Sequence, residues 1–207
     1  MNFDKVQTKN LKRKYQHSLY LAIMNDKNPW TILSSEKKYE NNWISVTEYQ
    51  VLNPSGGPGI YGEVHFKTLA IGILPLDEEL NTWIVGQYRF PLQAYSWEII
   101  EGGGDLAIDP TVSARRELAE ETGIAADTLI EIQRMHLSNS VSDELAIIYI
   151  AKDLHFGDAF PEETEQLSVR KLPFDTVYQM VIDGEITDSM SVAAILKTKI
   201  LIQEGKI

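Results

Sequence analysis

Three glutamates close together in sequence form the clearest group of chemically active side chains in this chain. They are Glu117, Glu120 and Glu121, and Arg116 comes directly before them. On an α-helix, residues three and four apart are neighbours, so Glu117 would lie beside both other glutamates and Arg116 beside Glu120. A hard divalent cation would relieve the repulsion, because Mg²⁺ binds carboxylate, water and phosphate oxygens. A solvated, charged helix is the plainer alternative.

The surrounding residues give this helix clear ends. Asp109 and Pro110 supply an N-cap followed by proline at the first helical position. Gly123 stands where a left-handed residue ends a helix. We expect the acidic patch to face a cleft or solvent while the opposite side packs on a sheet. The apolar side chains expected on that packed side are Val112, Ala114, Leu118 and Ala119.

This stretch resembles the signature of the Nudix hydrolases, G-x5-E-x7-R-E-U-x-E-E-x-G-U, in which U is aliphatic. The matching positions are Gly102, Arg116, Glu117, Leu118, Glu120, Glu121, Gly123 and Ile124. Ile108 occupies the position of the first glutamate of the pattern, a carboxylate that supports the metal cluster in the family. Asp105 and Asp109 are nearby candidates to replace it, although neither has the matching position.

The resemblance implies an α+β fold of the Nudix type, an α/β/α sandwich around a mixed sheet with a small N-terminal β-unit. Residues 34–46 resemble the N-terminal β-domain of ADP-ribose and ADP-sugar pyrophosphatases, which often builds a homodimer. The glycine- and proline-rich loop Asn53–Gly59 then separates the N-terminal extension and dimerisation unit, residues 1–58, from the hydrolase domain, residues 59–207.

Three aromatic residues in the N-terminal part have alternative roles. Trp30, Tyr39 and Trp43 are candidates for the dimer interface or for stacking on a base, and core packing is the plainer alternative for each. Further along, the pattern predicts strands at residues 64–76, 82–88, 97–103, 129–137, 145–151 and 167–173. Two helices are predicted at the C-terminal end, from Phe174 to Gly184 and after Asp188.

The family resemblance assigns roles to the signature residues by position. It implies that Mg²⁺, with Mn²⁺ as an alternative, is held by the carboxylates of Glu117, Glu120 and Glu121 and by the backbone carbonyl of Glu101. It also implies that Arg116 holds a glutamate in place. Two glycines, Gly102 and Gly103, would allow the substrate to approach the backbone closely.

Two residues before the signature are expected to support the substrate. Gln87–Pro91 resembles the family's Q-Y-R-x-P segment, which brings an arginine near the substrate diphosphate or its sugar. Arg89 suits this role because guanidinium binds phosphate through two parallel hydrogen bonds, and a surface salt bridge is the alternative. Glu98 falls on a family glutamate that supports the site.

An acidic loop follows the last long strand. Such loops are usually solvent-exposed, but in related ADP-sugar pyrophosphatases a glutamate on the equivalent loop activates the attacking water. Glu163 has the best position for this base, and Glu165 and Glu162 are alternatives. His136 is a further candidate for acid–base chemistry, with a structural hydrogen-bonding role as the alternative.

The amino-acid composition excludes several classes of binding partner and of reactive site. The net charge of −11 argues against a nucleic-acid or anionic-membrane surface. The absence of cysteine excludes disulfides, thiolate nucleophiles and zinc–thiolate sites. The sequence contains neither an apolar signal-like segment nor a run of transmembrane length, so we expect a cytoplasmic location.

Together these features predict a magnesium-dependent pyrophosphatase. The expected substrate is a nucleoside diphosphate sugar such as ADP-ribose, cleaved to a nucleoside monophosphate and a sugar phosphate. Because of Ile108, a sensor that binds a nucleotide sugar with weak or no hydrolysis is the second hypothesis. A regulatory or assembly module with a vestigial site is the third.

Overall fold

The computed structural model describes residues 27–159 and 166–207. The basic segment before residue 27 and the three candidate bases, Glu162, Glu163 and Glu165, lie outside the described residues. The described residues divide into two compact units, one of residues 27–36 and 48–61 and the other of residues 37–47, 62–159 and 166–207. No described helix has both the length and the apolar character that crossing a membrane requires.

The N-terminal strands form a three-stranded sheet in the order β1-β2-β3. They are β1 (Thr31–Glu40), β2 (Ile44–Leu52) and β3 (Pro58–Phe66). The Asn53 side chain closes the predicted loop between β2 and β3, because its Oδ1 accepts hydrogen bonds from the backbone N–H groups of Ser55 and Gly57, both at 3.0 Å. The domain boundary after residue 58 stays a prediction, and β3 begins at that residue.

The aromatic residues of this region are not core residues. Tyr39 and Trp43 are 54% and 66% exposed, so the alternative of core packing is wrong for both. Trp30 is also exposed, and its ring meets the edge of Tyr61 with the ring centroids 5.3 Å apart. Every residue of β1 is exposed. The side chains of Trp30, Tyr39 and Trp43 are therefore exposed enough to contribute to a dimer interface or to stack on a base.

Two further sheets and three helices follow. The four-stranded sheet has the order β7-β4-β9-β8 and the three-stranded sheet the order β10-β5-β6. Within the first, β4 is parallel to β9 and antiparallel to β7, so the sheet is mixed as predicted. The strands are β4 (Leu69–Pro75), β5 (Asn81–Arg89), β6 (Ala94–Glu98), β7 (Ile100–Gly104), β8 (Ile124–His136), β9 (Leu145–Phe156) and β10 (Ser168–Pro173). The helices are α1 (Pro110–Thr122), α2 (Phe174–Ile182) and α3 (Ser189–Gln203).

Two predicted strands are each divided in the structure. Residues 64–76 contain the end of β3 and all of β4, with a bend at residues 67–68. Residues 97–103 contain the end of β6 and most of β7, which pair with different neighbours: β6 with β5, and β7 with β4. The chain changes sheets at Ile99, a residue that periodicity alone places inside one continuous apolar strand.

The core lies on both faces of the four-stranded sheet. Alternate residues of β9 point to opposite faces, so Ile147 and Tyr149 pack with Leu118 of α1 while Ile148 and Ile150 pack with residues of α2 and α3. This layering confirms the predicted α/β/α sandwich and α+β class. Leu118 and Ala114 are fully buried as expected.

Val112 departs from the expected packing of α1. It is 54% exposed, whereas Ala119 is partly buried. The reason is helical geometry, because a residue two positions before Ala114 lies about 200° around the helix axis and points to the opposite side. The packed stripe instead continues through Glu117 and Glu121.

The end of α1 gives a test of backbone geometry. Gly123 has φ of +69°, and a Cβ added there would lie 2.8 Å from the backbone N of Ala159. We expect Gly123→Ala to lower the free energy of unfolding by roughly 2–5 kcal/mol, from left-handed strain of about 1–2 and steric overlap of about 1–3. Urea unfolding measures this.

Gly184→Ala is the matched control. Gly184 has φ of +76°, but a Cβ there would meet nothing within 4 Å. This variant should therefore lose only the roughly 1–2 kcal/mol of left-handed strain. Equal losses in the two variants would contradict the overlap at Gly123.

Candidate active site

The signature helix α1 begins and ends where the sequence predicts. Asp109 is the N-cap, and its Oδ1 accepts hydrogen bonds from the Thr111 N–H at 2.9 Å and the Thr111 hydroxyl at 2.6 Å. These bonds lower the pKa of the Asp109 carboxyl. Asp105 Oδ1 accepts from the Ala107 N–H at 2.8 Å. Both aspartates near Ile108 therefore bind local backbone groups, while Ile108 itself is 45% exposed.

The glutamates of α1 occupy different environments. Glu117 and Glu121 are 9% and 2% exposed, whereas Glu120 is partly exposed. Glu117 and Glu121 therefore do not face bulk solvent, and the expectation that the acidic patch faces a cleft stays a prediction for them. Glu117 and Glu121 follow the same packed stripe as Ala114 and Leu118, since residues three and four apart share one helix face.

Glycine at position 102 makes room for Glu117. A Cβ added at Gly102 would overlap all three carboxyl-group atoms of Glu117, Cδ, Oε1 and Oε2. Position 103 is different, because the nearest atom to an added Cβ is Thr68 Oγ1 at 3.9 Å. The signature glycine thus lets a carboxylate lie directly against the backbone of β7.

Arg116 joins the helix to the strand. Its Nη2 donates to Glu117 Oε1 at 2.5 Å and to the Gly103 carbonyl at 2.9 Å, and its Nη1 donates to Glu120 Oε2 at 2.6 Å. Burial lowers the pKa of Arg116, but the two carboxylates raise it by more, so the guanidinium stays charged. One cation therefore aligns two of the three glutamates against β7.

The donor set fits a hard divalent cation in its chemistry. Glu117, Glu120, Glu121 and the Glu101 carbonyl offer only oxygen atoms, which Mg²⁺ prefers, and the missing side chain at Gly102 leaves room for the Glu117 carboxylate. In residues 27–159 and 166–207, no three acidic or histidine side chains are grouped so that they could hold a metal ion. Two of the carboxylates are oriented toward Arg116 instead.

The side chain of Glu101 belongs to a second cluster. Its Oε1 accepts a hydrogen bond from the Ser191 hydroxyl at 2.9 Å. Burial raises the pKa of Glu101 well above its ordinary value, and the negative charge of Asp188 raises it further. Asp188 is the N-cap of α3, with its Oδ2 accepting from the Ser191 N–H at 2.7 Å.

Sequence reasoning missed Ser191 and Asp188 as neighbours of the signature. A Thr–Asp pair before an apolar helix does indicate an N-cap, so Asp188 could have been identified as one. Ser191 gives no such signal, because a serine in the first turn of a helix is usually solvated. Only the long-range packing of α3 reveals its position.

Arg89 and Glu98 bind each other. Arg89 Nε donates to both carboxylate oxygens of Glu98 at 3.0 Å, and Nη2 donates to Oε2 at 2.5 Å. Glu98 is 2% exposed, whereas the Arg89 side chain is 37% exposed. The salt bridge expected as the alternative role is thus present, and its carboxylate is buried. The phosphate-binding role of Arg89 stays a prediction.

His136, the further candidate for acid–base chemistry, is exposed at the end of β8, and its role stays a prediction.

Comparison with known families gives two matches. A model described as NUDIX domain matches residues 66–188, and one described as nucleoside diphosphate sugar hydrolase N-terminal domain matches residues 30–64. The first covers more than half of the chain and includes the whole of α1. The second covers nearly all of the three N-terminal strands.

Relatives and a solved structure agree with these matches. An ADP-ribose pyrophosphatase of Mycobacterium tuberculosis is 29% identical over 79% of this chain and 80% of its own length. A methanol dehydrogenase activator of Bacillus methanolicus is 31% identical over 61% of this chain and 69% of its own length. The crystal structure of an ADP compounds hydrolase superposes with a TM-score of 0.77 at 20% identity, covering 88% of this chain and all of the other, which shows a shared fold.

Gly102→Ala tests the contact between Glu117 and β7. The added methyl group should displace the Glu117 carboxylate and weaken binding of Mn²⁺ by about tenfold or more, the usual scale for disturbing a metal site. Because a side-chain end moves more easily than backbone, the fold should survive. Electron paramagnetic resonance of added Mn²⁺, without substrate, measures the affinity.

Gly103→Ala is the control, because the atom nearest to its added methyl group would be Thr68 Oγ1 at 3.9 Å, an ordinary contact distance. Its Mn²⁺ affinity should stay within about twofold of the parent, well inside the tenfold effect expected at a metal site. An equal loss in both variants would indicate general stiffening of β7 rather than displacement of Glu117.

Proposed function

This chain belongs to the Nudix hydrolase family, and we propose that it hydrolyses the diphosphate bond of a nucleoside diphosphate sugar such as ADP-ribose. The products are a nucleoside monophosphate and a sugar phosphate. The observation that carries this proposal is that Arg116 holds both Glu117 and Glu120, with the Glu117 carboxylate against the backbone of Gly102. The match of residues 30–64 to an N-terminal domain of nucleoside diphosphate sugar hydrolases supports the substrate class.

We assign the cofactor as Mg²⁺, with Mn²⁺ as a substitute. Glu117, Glu120, Glu121 and the Glu101 carbonyl would hold it. A bound divalent cation neutralises phosphate oxygens and lowers the pKa of a coordinated water. Arg116 keeps the carboxylates aligned and offsets their mutual repulsion. These oxygen atoms would hold the cation, and the cation would bind the polyanionic substrate.

Arg89 is proposed to bind the substrate diphosphate or sugar. Its bonds to Glu98 use Nε and Nη2, which leaves the Nη1 side of the guanidinium directed away from that carboxylate. The buried Glu98 fixes the guanidinium plane, so a phosphate oxygen would meet an already oriented donor. Glu98 is therefore a supporting residue rather than a direct substrate ligand.

The general base is proposed to be Glu163, with Glu165 as the alternative. A glutamate here would remove a proton from the attacking water. Replacing Glu163 and Glu165 one at a time by glutamine tests which of them is the base, because glutamine has the size of glutamate but lacks its basic carboxylate. We expect Glu163→Gln to lower kcat without lowering Mn²⁺ affinity, and a larger loss in Glu165→Gln would reverse the assignment.

A nucleotide-sugar sensor with weak hydrolysis is the second candidate. Ile108 favours it, because the acidic side chain of the pattern is absent and both nearby aspartates bind backbone groups. The retained Arg116–Glu117–Glu120 arrangement favours the enzyme. A homodimer through the N-terminal β-unit, within residues 1–58, and a cytoplasmic location stay predictions, and sedimentation velocity tests the homodimer.

Incubation with Mg²⁺ and a panel of nucleoside diphosphate sugars tests the function. We expect release of phosphomonoesters from ADP-ribose or a similar compound. Glu121→Gln should abolish turnover while the protein stays folded, because the substitution keeps the shape of a buried side chain and removes its charge. Glu131→Gln is the matched control, since Glu131 pairs with Arg134 on the exposed surface of β8.

Each outcome of this experiment has a distinct meaning. Near-normal turnover by Glu121→Gln would refute the metal-site assignment. Tight binding of a nucleotide sugar by the parent protein without product would support the sensor. Neither binding nor product would support an assembly module with a vestigial site.

A further inference from the structure

Ser191 makes two hydrogen bonds to the segment that leads into the signature glycine. Its hydroxyl oxygen accepts from the Ile99 N–H at 2.9 Å and its hydroxyl proton is donated to Glu101 Oε1 at 2.9 Å. We propose that Ser191 is a positioning residue, whose hydroxyl fixes the backbone from Ile99 to Glu101 and so holds the Glu101 carbonyl where it can serve as a metal ligand. This inference rests on the proposed function.

The backbone at Ile99 needs such a partner. Ile99 is fully buried and lies between β6 and β7, where the chain leaves one sheet and enters another. A buried N–H without a partner costs about 1–3 kcal/mol. Ser191 supplies the acceptor from α3, so the change of sheet happens at a defined residue.

The strand that carries Glu101 has support from only one side of its sheet. In the described part of the chain, β7 is the edge strand of the order β7-β4-β9-β8, and Glu101 lies opposite Gly72 of β4. Strand pairing therefore fixes β7 along one edge. The bonds from Ser191 provide a second support, from the α3 layer, on the face of β7 opposite the contacts that Arg116 and Glu117 make.

Tight packing makes this second support rigid. A Cβ added at Gly72 would lie 2.9 Å from Ile99 Cδ1 and 3.2 Å from Met190 Cγ, so glycine allows α3 to approach β4 beside Ile99. Met190 is 3% exposed and Ser191 is fully buried. Because α3 packs this closely on β4, it cannot shift easily. The bonds from Ser191 therefore resist a small movement of the Glu101 backbone.

Ser191→Ala tests the role directly. With MnCl₂ as the only ligand, its Mn²⁺ affinity should fall about tenfold, the lower end of the range for losing an outer partner of a metal ligand. The Mg²⁺ concentration for half-maximal hydrolysis should rise by the same factor, with the KM for the nucleotide sugar unchanged. Ser191→Thr keeps the hydroxyl and should recover most of the affinity.

Thr198→Val is the matched control on the same helix. Thr198 is fully buried, and its hydroxyl has no hydrogen-bond partner among the residues that the structure describes. Both measurements should stay within about twofold of the parent, well inside the tenfold effect expected at Ser191.

If Ser191→Ala does not fold, Glu101→Ala is the substitute, because it removes the bond between Glu101 and Ser191 from the strand side. It should weaken Mn²⁺ binding by a smaller factor, because the Ile99 bond remains.

The results separate this inference from the proposed function. Unchanged Mn²⁺ affinity in folded Ser191→Ala, or in Glu101→Ala where that variant replaces it, would overturn the positioning role while leaving the hydrolase intact. A parent protein that neither binds Mn²⁺ nor hydrolyses any nucleotide sugar would overturn the proposed function itself.

Discussion

The candidate site depends on the hydrogen bonds that Arg116 makes to several acceptors at once. One guanidinium contacts two carboxylates of its own helix and the Gly103 carbonyl of the neighbouring strand. Without it, glutamates one turn apart would repel each other and the helix would gain nothing from their proximity. Lysine could not replace this arrangement, because a single ammonium lacks the planar, fork-shaped set of donors.

The strand β7 separates two chemically different environments. Glu117 reaches Gly102 from the α1 side, whereas the side chain of Glu101 bonds to Ser191 in the α3 layer. The alternation of a β-strand produces this division, since successive side chains point to opposite faces. The carboxyl group of Glu101, whose pKa is raised by burial, thus lies on the opposite face of β7 from Arg116, Glu117 and Glu120.

Much of the fold and part of the site could be predicted from the sequence. Caps, the signature spacing and apolar periodicity were sufficient for α1 and for the approach of Arg116 to Glu120, because these depend on local geometry. The sandwich was expected from the family resemblance. The burial of Glu117 and Glu121 was not predictable, because carboxylates are normally assigned to the solvent side. Ser191 and the sheet change at Ile99 depend on long-range packing, which periodicity does not encode.

The bond between Ile99 and Ser191 also has a consequence for the order of folding. The two residues are 92 positions apart, so the glycine turn and its helix are made long before the serine that anchors them. Closing so large a loop costs entropy that local helix formation does not repay. A chain still emerging from the ribosome therefore carries the whole signature before Ser191 can bond to Ile99. If Ser191 positions the Glu101 carbonyl as proposed, that backbone is fixed only when α3 docks.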